Sequence, residues 1–228
     1  MFFTEATLEF WRELSQNNSK AWFDEHRKDY ERHLRTPYLA LAEALCEQIA
    51  EVEPEYELPA KHAVYRINRD VRFSNDKSPY KLDLGVTVGR GIRHDETWPV
   101  YTCRVGLSGV SVAGGLYRPP KELRDGVRRW IAANGDAVRS ATADPEFRRY
   151  FDGLEGEAHK RPLPDLKEVA ADEPLVLNKQ WIYWGADSDA ELLVRPDLDQ
   201  YVLDRWEAAK PVMDVLKRAV AETEEAAA

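Results

Sequence analysis

Apolar residues return every three or four positions through the first fifty residues and then switch to every second position. Leu8, Trp11 and Leu14 form one helical stripe, with Thr4 placed to cap it and Gln16-Asn17-Asn18 to end it. Ser19 is placed to cap a second helix carrying Trp22, Phe23, His26, Arg27, Tyr30 and Leu34. Thr36-Pro37 opens a third, with Thr36 as cap and Pro37 where its missing N–H costs nothing, followed by Leu41, Leu45, Ile49 and Val52. After Glu53-Pro54 the period becomes two. Ala63 to Phe73 is rich in Val, Ile, Tyr and Phe, and Leu82, Leu84, Val86 and Val88 alternate with Asp83, Gly85 and Thr87. Tyr101, Cys103, Val105 and Leu107 repeat the pattern, and Val110, Val112 and Leu116 form a fourth run. The connections are short and contain Gly, as in Leu107-Ser108-Gly109-Val110. They favour antiparallel hairpins, because a parallel crossover takes roughly a dozen residues or more.

Pro119-Pro120 launches a helix with Leu123, Val127, Trp130 and Ile131 on one face, and Asp144-Pro145 starts a short one. Residues 153–172 are polar and poorly periodic and read as a loop. Two late strands are expected at Leu175 to Trp184 and Glu191 to Val194. A final amphipathic helix follows with Leu198, Val202, Trp206, Met213, Leu216 and Val220, and 221–228 reads as a loose tail. Helices, then a sheet, then helices with a returning strand give an α+β fold: a mainly antiparallel central sheet with N-terminal and C-terminal helices packed on it.

At 228 residues the chain suits a single domain, 1–228. With 43% hydrophobic residues it has material for a core, so wholesale disorder is excluded. Mean hydropathy is −0.58, and no apolar run approaches the roughly 18 residues that span a bilayer, which argues against a membrane protein. No basic-then-apolar leader is present, and Cys46 and Cys103 form no CxxC, so a reducing cytoplasmic setting is expected and neither a disulfide framework nor a cysteine zinc site is suggested. His26, His33, His62, His94 and His159 have no ligand-like spacing. There is no GxGxxG, GxxxxGK[ST], HExxH or GxSxG, so nucleotide, zincin and serine-hydrolase assignments have no motif support and any cofactor is left unknown.

A formal charge of −9 and a pI near 5.2 repel polyphosphates and disfavour nucleic-acid or anionic-membrane partners. Yet Lys61 to Lys81 holds six basic residues (Lys61, Arg66, Arg69, Arg72, Lys77, Lys81) against Asp70 and Asp76. A positive island in an acidic chain is what a small-anion site requires.

Within that island, Arg66 to Tyr80 concentrates three Arg, a Lys, two Asp and a Tyr. If 64–72 is extended, Arg66, Asn68, Asp70 and Arg72 share one face and Tyr65, Ile67, Arg69 and Val71 the other, with the core on the Ile67 side. Ser74 to Pro79 has turn chemistry and would carry Asp76, Lys77 and Tyr80 beside the strand end. Arg and Asp can neutralise each other in an internal network. Alternatively the excess of cations receives a carboxylate or phosphate through bidentate guanidinium bonds. Two carboxylates make a thin metal site, and none is assigned.

The pattern Arg-x-x-Arg-Asp-x-Arg-Phe-x-x-Asp-Lys-x-x-Tyr at Arg66, Arg69, Asp70, Arg72, Phe73, Asp76, Lys77 and Tyr80 resembles the defining motif of a bacterial and fungal family catalogued as domain of unknown function 2461. Asn17-Asn18 with Trp22-Phe23 and Arg27, and Gly114-Gly115-Leu116-Tyr117 with Pro119, extend the resemblance. It implies membership and carries no substrate or catalytic residue with it.

The reading expected is a cationic, aromatic-edged pocket binding a small anion through Arg27, Arg66, Arg69, Arg72 and Lys77. In an enzyme, Asp70, Asp76 and Tyr80 would be the acid/base groups. The alternative is a non-catalytic interaction protein whose Arg/Asp cluster is an internal ion-pair network. Gly114 to Pro120 can also present backbone N–H groups to an anion, or be a tight entry to the helix. Trp181, Tyr183 and Trp184 can line a pocket or pack a sheet.

Overall fold

Thr4 precedes α1 (Glu5–Gln16) in extended backbone, and its N–H donates to the Thr7 hydroxyl at 3.2 Å, so the first turn closes on a side chain. Leu8, Phe10, Trp11 and Leu14 form the buried face. These coordinates are a computed structural model that describes residues 1–92 and 95–227; His94 and the last tail residue, Ala228, lie outside them. Ser19 caps α2 (Lys20–Glu25), its hydroxyl accepting from the Trp22 N–H at 3.3 Å.

The second helix does not run in phase to Leu34. His26 leaves helical geometry (φ −101°, ψ 18°), and α3 (Arg27–Asp29) passes through a π-helical stretch (Tyr30–Arg35) straight into α4 (Thr36–Val52). Thr36 is therefore no cap: its φ and ψ are −63° and −51°, inside a continuous helix. A proline there costs a hydrogen bond, because Pro37 cannot donate to the carbonyl four residues back, at His33. The buried Thr7 hydroxyl donates to that carbonyl at 2.7 Å, and wider π turns precede the ring.

After α5 (Ala60–Ala63) the expected strand over 63–73 is replaced by a narrow irregular hairpin. Val64 makes one antiparallel bridge to Val86 and Asn68 one to Tyr80, with Arg69 N–H donating to the Pro79 carbonyl and Lys81 N–H to that of Ile67, both at 2.8 Å. No ladder extends from them because the carboxylates of Asp70 and Asp76 accept the Arg72 and Ser78 amides at 3.1 and 2.9 Å, and Pro79 has no N–H to give. The two-residue alternation survives in burial: Ile67 is buried while Arg66, Asn68, Asp70 and Arg72 are exposed.

β1 (Asp83–Val88), β2 (Val100–Gly106), β3 (Gly109–Leu116) and β4 (Trp181–Asp187) form an antiparallel sheet in the order β1-β2-β3-β4, so the fold is α+β as the sequence suggests. Gly109 turns the β2–β3 hairpin at φ +96°, a conformation glycine adopts without strain. In β1, Gly85 and Thr87 are buried along with Leu84, Val86 and Val88. The Tyr65 ring lies 3.3 Å from where a Gly85 side chain would start, and Thr87 hydrogen-bonds Thr102 at 2.7 Å. The free thiols Cys46 and Cys103 are buried, which pushes them up to about 11 and about 12 and keeps them protonated.

α6 (Lys121–Thr142) starts after Pro119-Pro120 and kinks at Asn134, whose side-chain amide donates to the Trp130 carbonyl at 2.9 Å. Asp144 caps α7 (Pro145–Arg148) through the Glu146 and Phe147 amides. Two late expectations are corrected. Pro174–Leu177 is a 3₁₀ turn, so β4 begins only at Trp181, and Ala190–Val194 is a 3₁₀ turn capped by Asp189 instead of a strand. The final helix divides at Ala209, ahead of Pro211, into α8 (Leu198–Ala208) and α9 (Lys210–Ala227). α9 continues through the stretch read as a tail, and the Trp130 indole donates to Glu222 at 2.6 Å. None of the described helices is long and apolar enough to cross a membrane.

Two compact units are distinguished. One takes residues 1–92, 102–111 and 186–203; the other takes 95–101, 112–185 and 204–227. The Arg66 to Tyr80 motif belongs wholly to the first.

Candidate functional site

Asn18 joins the N-terminal helices to the motif. Its side-chain amide donates to the Tyr80 carbonyl and accepts from the Tyr80 N–H, both at 3.0 Å, so one side chain pairs with the Tyr80 backbone as a neighbouring strand would. Tyr80, only 5% exposed, then stacks on Phe23 of α2 with ring centroids 3.9 Å apart and planes 16° apart. The Tyr30 ring packs on Phe23 as well, tilted by 51° with centroids 4.9 Å apart. Arg27 lies 5.7 Å above the Phe23 ring and pairs with Asp24 at 2.7 Å. The Tyr38 hydroxyl accepts from the Tyr65 N–H at 2.9 Å and donates to the Gly85 carbonyl, tying α4 to the start of the motif and to β1.

A half-open cavity of about 530 Å³ lies among these groups inside the first unit, with Phe23, Tyr30, Tyr38, Tyr65 and Tyr80 as aromatic wall. Its charged lining is Arg27, Arg35, Lys61 and Arg66, with no carboxylate. Arg27 and Arg35 have helix neighbours as partners, Asp24 and Glu31, the latter at 2.9 Å. Lys61 and Arg66 have no ion-pair partner among the described residues. The Tyr30 hydroxyl makes no hydrogen bond among them either, and burial raises its pKa above the usual tyrosine value, so it stays a neutral donor.

The other half of the motif turns inward on itself. Arg72 grips Asp70 with a fork, Nε to Oδ1 at 2.9 Å and Nη2 to Oδ2 at 2.6 Å, and Arg69 pairs with Asp76. Arg72 holds Asp70 at about 2, and Arg69 holds Asp76 well below the usual carboxylate range. Lys77 donates to the Val71 carbonyl at 2.9 Å, and Lys81 to that of Arg66 at 3.1 Å. Phe73, 96% exposed, sits at the end of this loop.

A second cavity of about 500 Å³ is lined by Asn18, Arg69, Asp70, Asp76, Asp83 and Arg104, with Tyr80 on its wall as well. Each of its carboxylates has an arginine partner: Asp76 pairs with Arg69, Asp83 with Arg104 at 2.7 Å, and Asp70 with Arg72 from outside the cavity, while Lys81 also lines it. Among the described residues no group of His, Cys, Asp and Glu could hold a metal ion. A larger cavity, about 760 Å³, is lined by Glu43, Glu47, Glu51 and Glu57 with Lys61, and its carboxylates repel an anion.

The residues expected from sequence to form one site therefore separate. Arg27, Arg66 and Tyr80 line the cationic cavity; Arg69, Asp70 and Asp76 line the matched one; Arg72 and Lys77 line neither. Sequence reasoning missed Arg35 and Lys61 as lining residues and Asn18 as the group that positions Tyr80. The charge count over Lys61 to Lys81 already contained Lys61, and Arg35 lies one helical turn from Glu31. His26 stacks on Trp22 at 4.1 Å and lines neither cavity. Gly115 has φ +117°, and a side chain there would start 2.2 Å from the Trp181 carbonyl, so this glycine serves close backbone approach. Trp181 and Tyr183 are fully buried and pack the sheet.

A family model described as "Conserved hypothetical protein (DUF2461)" matches residues 6–215. No curated protein matches the chain.

Proposed function

We propose, for a chain that belongs to the DUF2461 family of conserved hypothetical proteins, that the cavity between α2, α4 and the motif binds a small organic anion: a carboxylate or phosphate on an apolar or aromatic body. One observation carries the reading. Four cations and no carboxylate line the cavity, and Lys61 and Arg66 have no ion-pair partner among the described residues. In a semi-enclosed, low-dielectric wall such charges focus potential locally, whatever the chain's net charge. At about 530 Å³ the cavity lies within the usual range for small-molecule sites, roughly 300–1,000 Å³.

The roles follow from the geometry. Arg66 supplies a guanidinium fork and Lys61 a point charge for the anionic group. Arg27 and Arg35, held by exposed partners, add to the field at little structural cost. The neutral Tyr30 hydroxyl donates a hydrogen bond, and the Phe23–Tyr80 stack offers apolar surface to the body of the ligand. Tyr80 is the one of the three sequence-expected acid/base residues that reaches this cavity; Asp70 and Asp76, ionised and gripped by arginine, brace the loop.

A thermal-shift series with inorganic phosphate, phenyl phosphate, benzoate and succinate, each with and without Mg²⁺ or Mn²⁺, tests the reading. A ligand at a hundredfold its dissociation constant adds about 2.7 kcal/mol. The expected result is a saturable rise for an aryl anion that Arg66→Gln abolishes and Arg72→Ala leaves intact. Flat curves throughout, or equal rises in both variants, overturn the proposal.

A further inference from the structure

Three buried nitrogens around the start of α6 have no hydrogen-bond partner among the described residues: Arg124 Nε, Arg128 Nη2 and His159 Nε2. Arg128 is the strongest case. It is 2% exposed, its Nε donates to the Val176 carbonyl, and its Nη1 reaches Asp125 Oδ1 at 3.3 Å, which leaves Nη2 buried with two N–H groups unspent. A buried guanidinium with open donors is costly, so such groups are satisfied by something.

Asp125, its ion-pair partner among the described residues, is oversubscribed, while the Asp165 carboxylate, paired with Arg129, senses Arg128 from farther off. Asp125 faces Arg128, Lys121 at 3.3 Å and Arg124 at 4.0 Å, three cations on one anion. All three stand on the first two turns of α6, where the helix N-terminus adds its own positive field.

His159 is brought to the cluster by the backbone. Its N–H donates to the Leu177 carbonyl at 2.7 Å, next to the Val176 carbonyl that Arg128 holds, and Ala158 bridges to Asn178. Burial first, then the charges of Arg128, Arg124 and Lys179, lower the His159 pKa, against the opposing carboxylates of Asp125 and Glu157. Lys179 is itself paired with Glu157, whose carboxyl also senses Arg118. Arg118, two residues before the helix cap, holds φ +51°, a strained conformation for a residue with a side chain.

We propose that Arg124, Arg128 and His159 form a second anion site, at the N-terminal turns of α6, for a single oxyanion group. Arg128 Nη2 and Arg124 Nε donate to its oxygens, and His159 does so through Nε2–H. The net positive charge left by Asp125 is then matched. The site is separate from the cavity at Arg66 and does not depend on that reading.

Arg128 is a core residue, so the test uses variants of its less buried partners. Protein labelled with ¹⁵N-histidine is exchanged into a zwitterionic buffer and titrated with inorganic phosphate, sulfate and acetate while the His159 ring signals are followed. The expected result is a saturable change with at least one of the three, present in wild type and in Arg66→Gln and weakened about tenfold or more in Arg124→Gln. No saturable change, or an unaltered response in Arg124→Gln, overturns the proposal. So does a crystal structure grown in phosphate in which all three nitrogens contact ordered water alone.

Discussion

Arg66 differs from Arg69 and Arg72 only in what stands beside it. Arg69 pairs with Asp76 across the turn and Arg72 with Asp70 two residues back, whereas Arg66 senses Asp70 only at a distance, forms no ion pair among the described residues and lines a cavity. Exposed pairs of this kind contribute little to stability. Arg72→Ala should therefore leave the melting temperature and ligand binding unchanged, as read by thermal shift, while Arg66→Gln removes binding without unfolding. Acid titration distinguishes the two halves further. Asp70 sits at about 2 in the folded chain against roughly 3.9 for a free aspartate, and a depressed carboxylate stabilises above its unfolded value. The bracing is thus complete above about pH 4 and is lost as the pH falls through about 2. The Arg72 and Ser78 amide resonances, both bonded to these carboxylates, should hold their shifts down to that range; movement centred near pH 4 contradicts the assignment. Which arginine stays unpaired was not legible in the sequence. Arg69 and Asp76 stand seven residues apart, and only the turn between them brings them together.

At the scale of elements, two side chains far away in sequence complete backbone that local structure leaves open. Thr7 supplies the donor that Pro37 lacks for the His33 carbonyl. Thr7→Val should cost roughly 1–3 kcal/mol, the usual penalty for stranding a buried carbonyl. Restoring the amide with Pro37→Ala should recover part of it, and denaturant melts of the single and double variants measure the coupling. Asn18 plays the same part for Tyr80, and Asn18→Ala should cost a similar roughly 1–3 kcal/mol and weaken anion binding, because the Phe23–Tyr80 wall depends on it. Binding retained at full strength in a folded Asn18→Ala protein would separate the wall from the site. Apolar spacing showed that 27–52 was helical but hid the π stretch, since a four-residue step such as Tyr30 to Leu34 suits either winding. The missing strand at 63–73 has a different cause: residues with strand propensity were present, but Asp70, Asp76 and Pro79 withhold the amides a ladder needs.

For the whole molecule, the switch from helical to two-residue periodicity was enough to indicate α+β with an antiparallel sheet, because short glycine turns leave no room for crossovers. Proline and asparagine then set the details the pattern missed, at Pro174, Asn134 and Pro211. Gly115→Ala probes how closely the sheet is built. With φ +117° and a carbonyl 2.2 Å away, it should cost at least about 1 kcal/mol in a denaturant melt. The candidate site was legible as a charge island and illegible as a shape: the count gave the surplus of cations, and only the fold divided it into a self-paired loop and an open cavity. On the proposed reading, an acidic chain of net charge −9 would hold an anion through that local surplus. The most direct measurement is an equilibrium titration of the whole chain with phenyl phosphate, following the Arg66 Nε–H resonance by NMR. The account predicts a saturable shift of that signal with those of Arg69 and Arg72 unmoved. A response confined to Arg69 and Arg72, or none at any arginine, contradicts it.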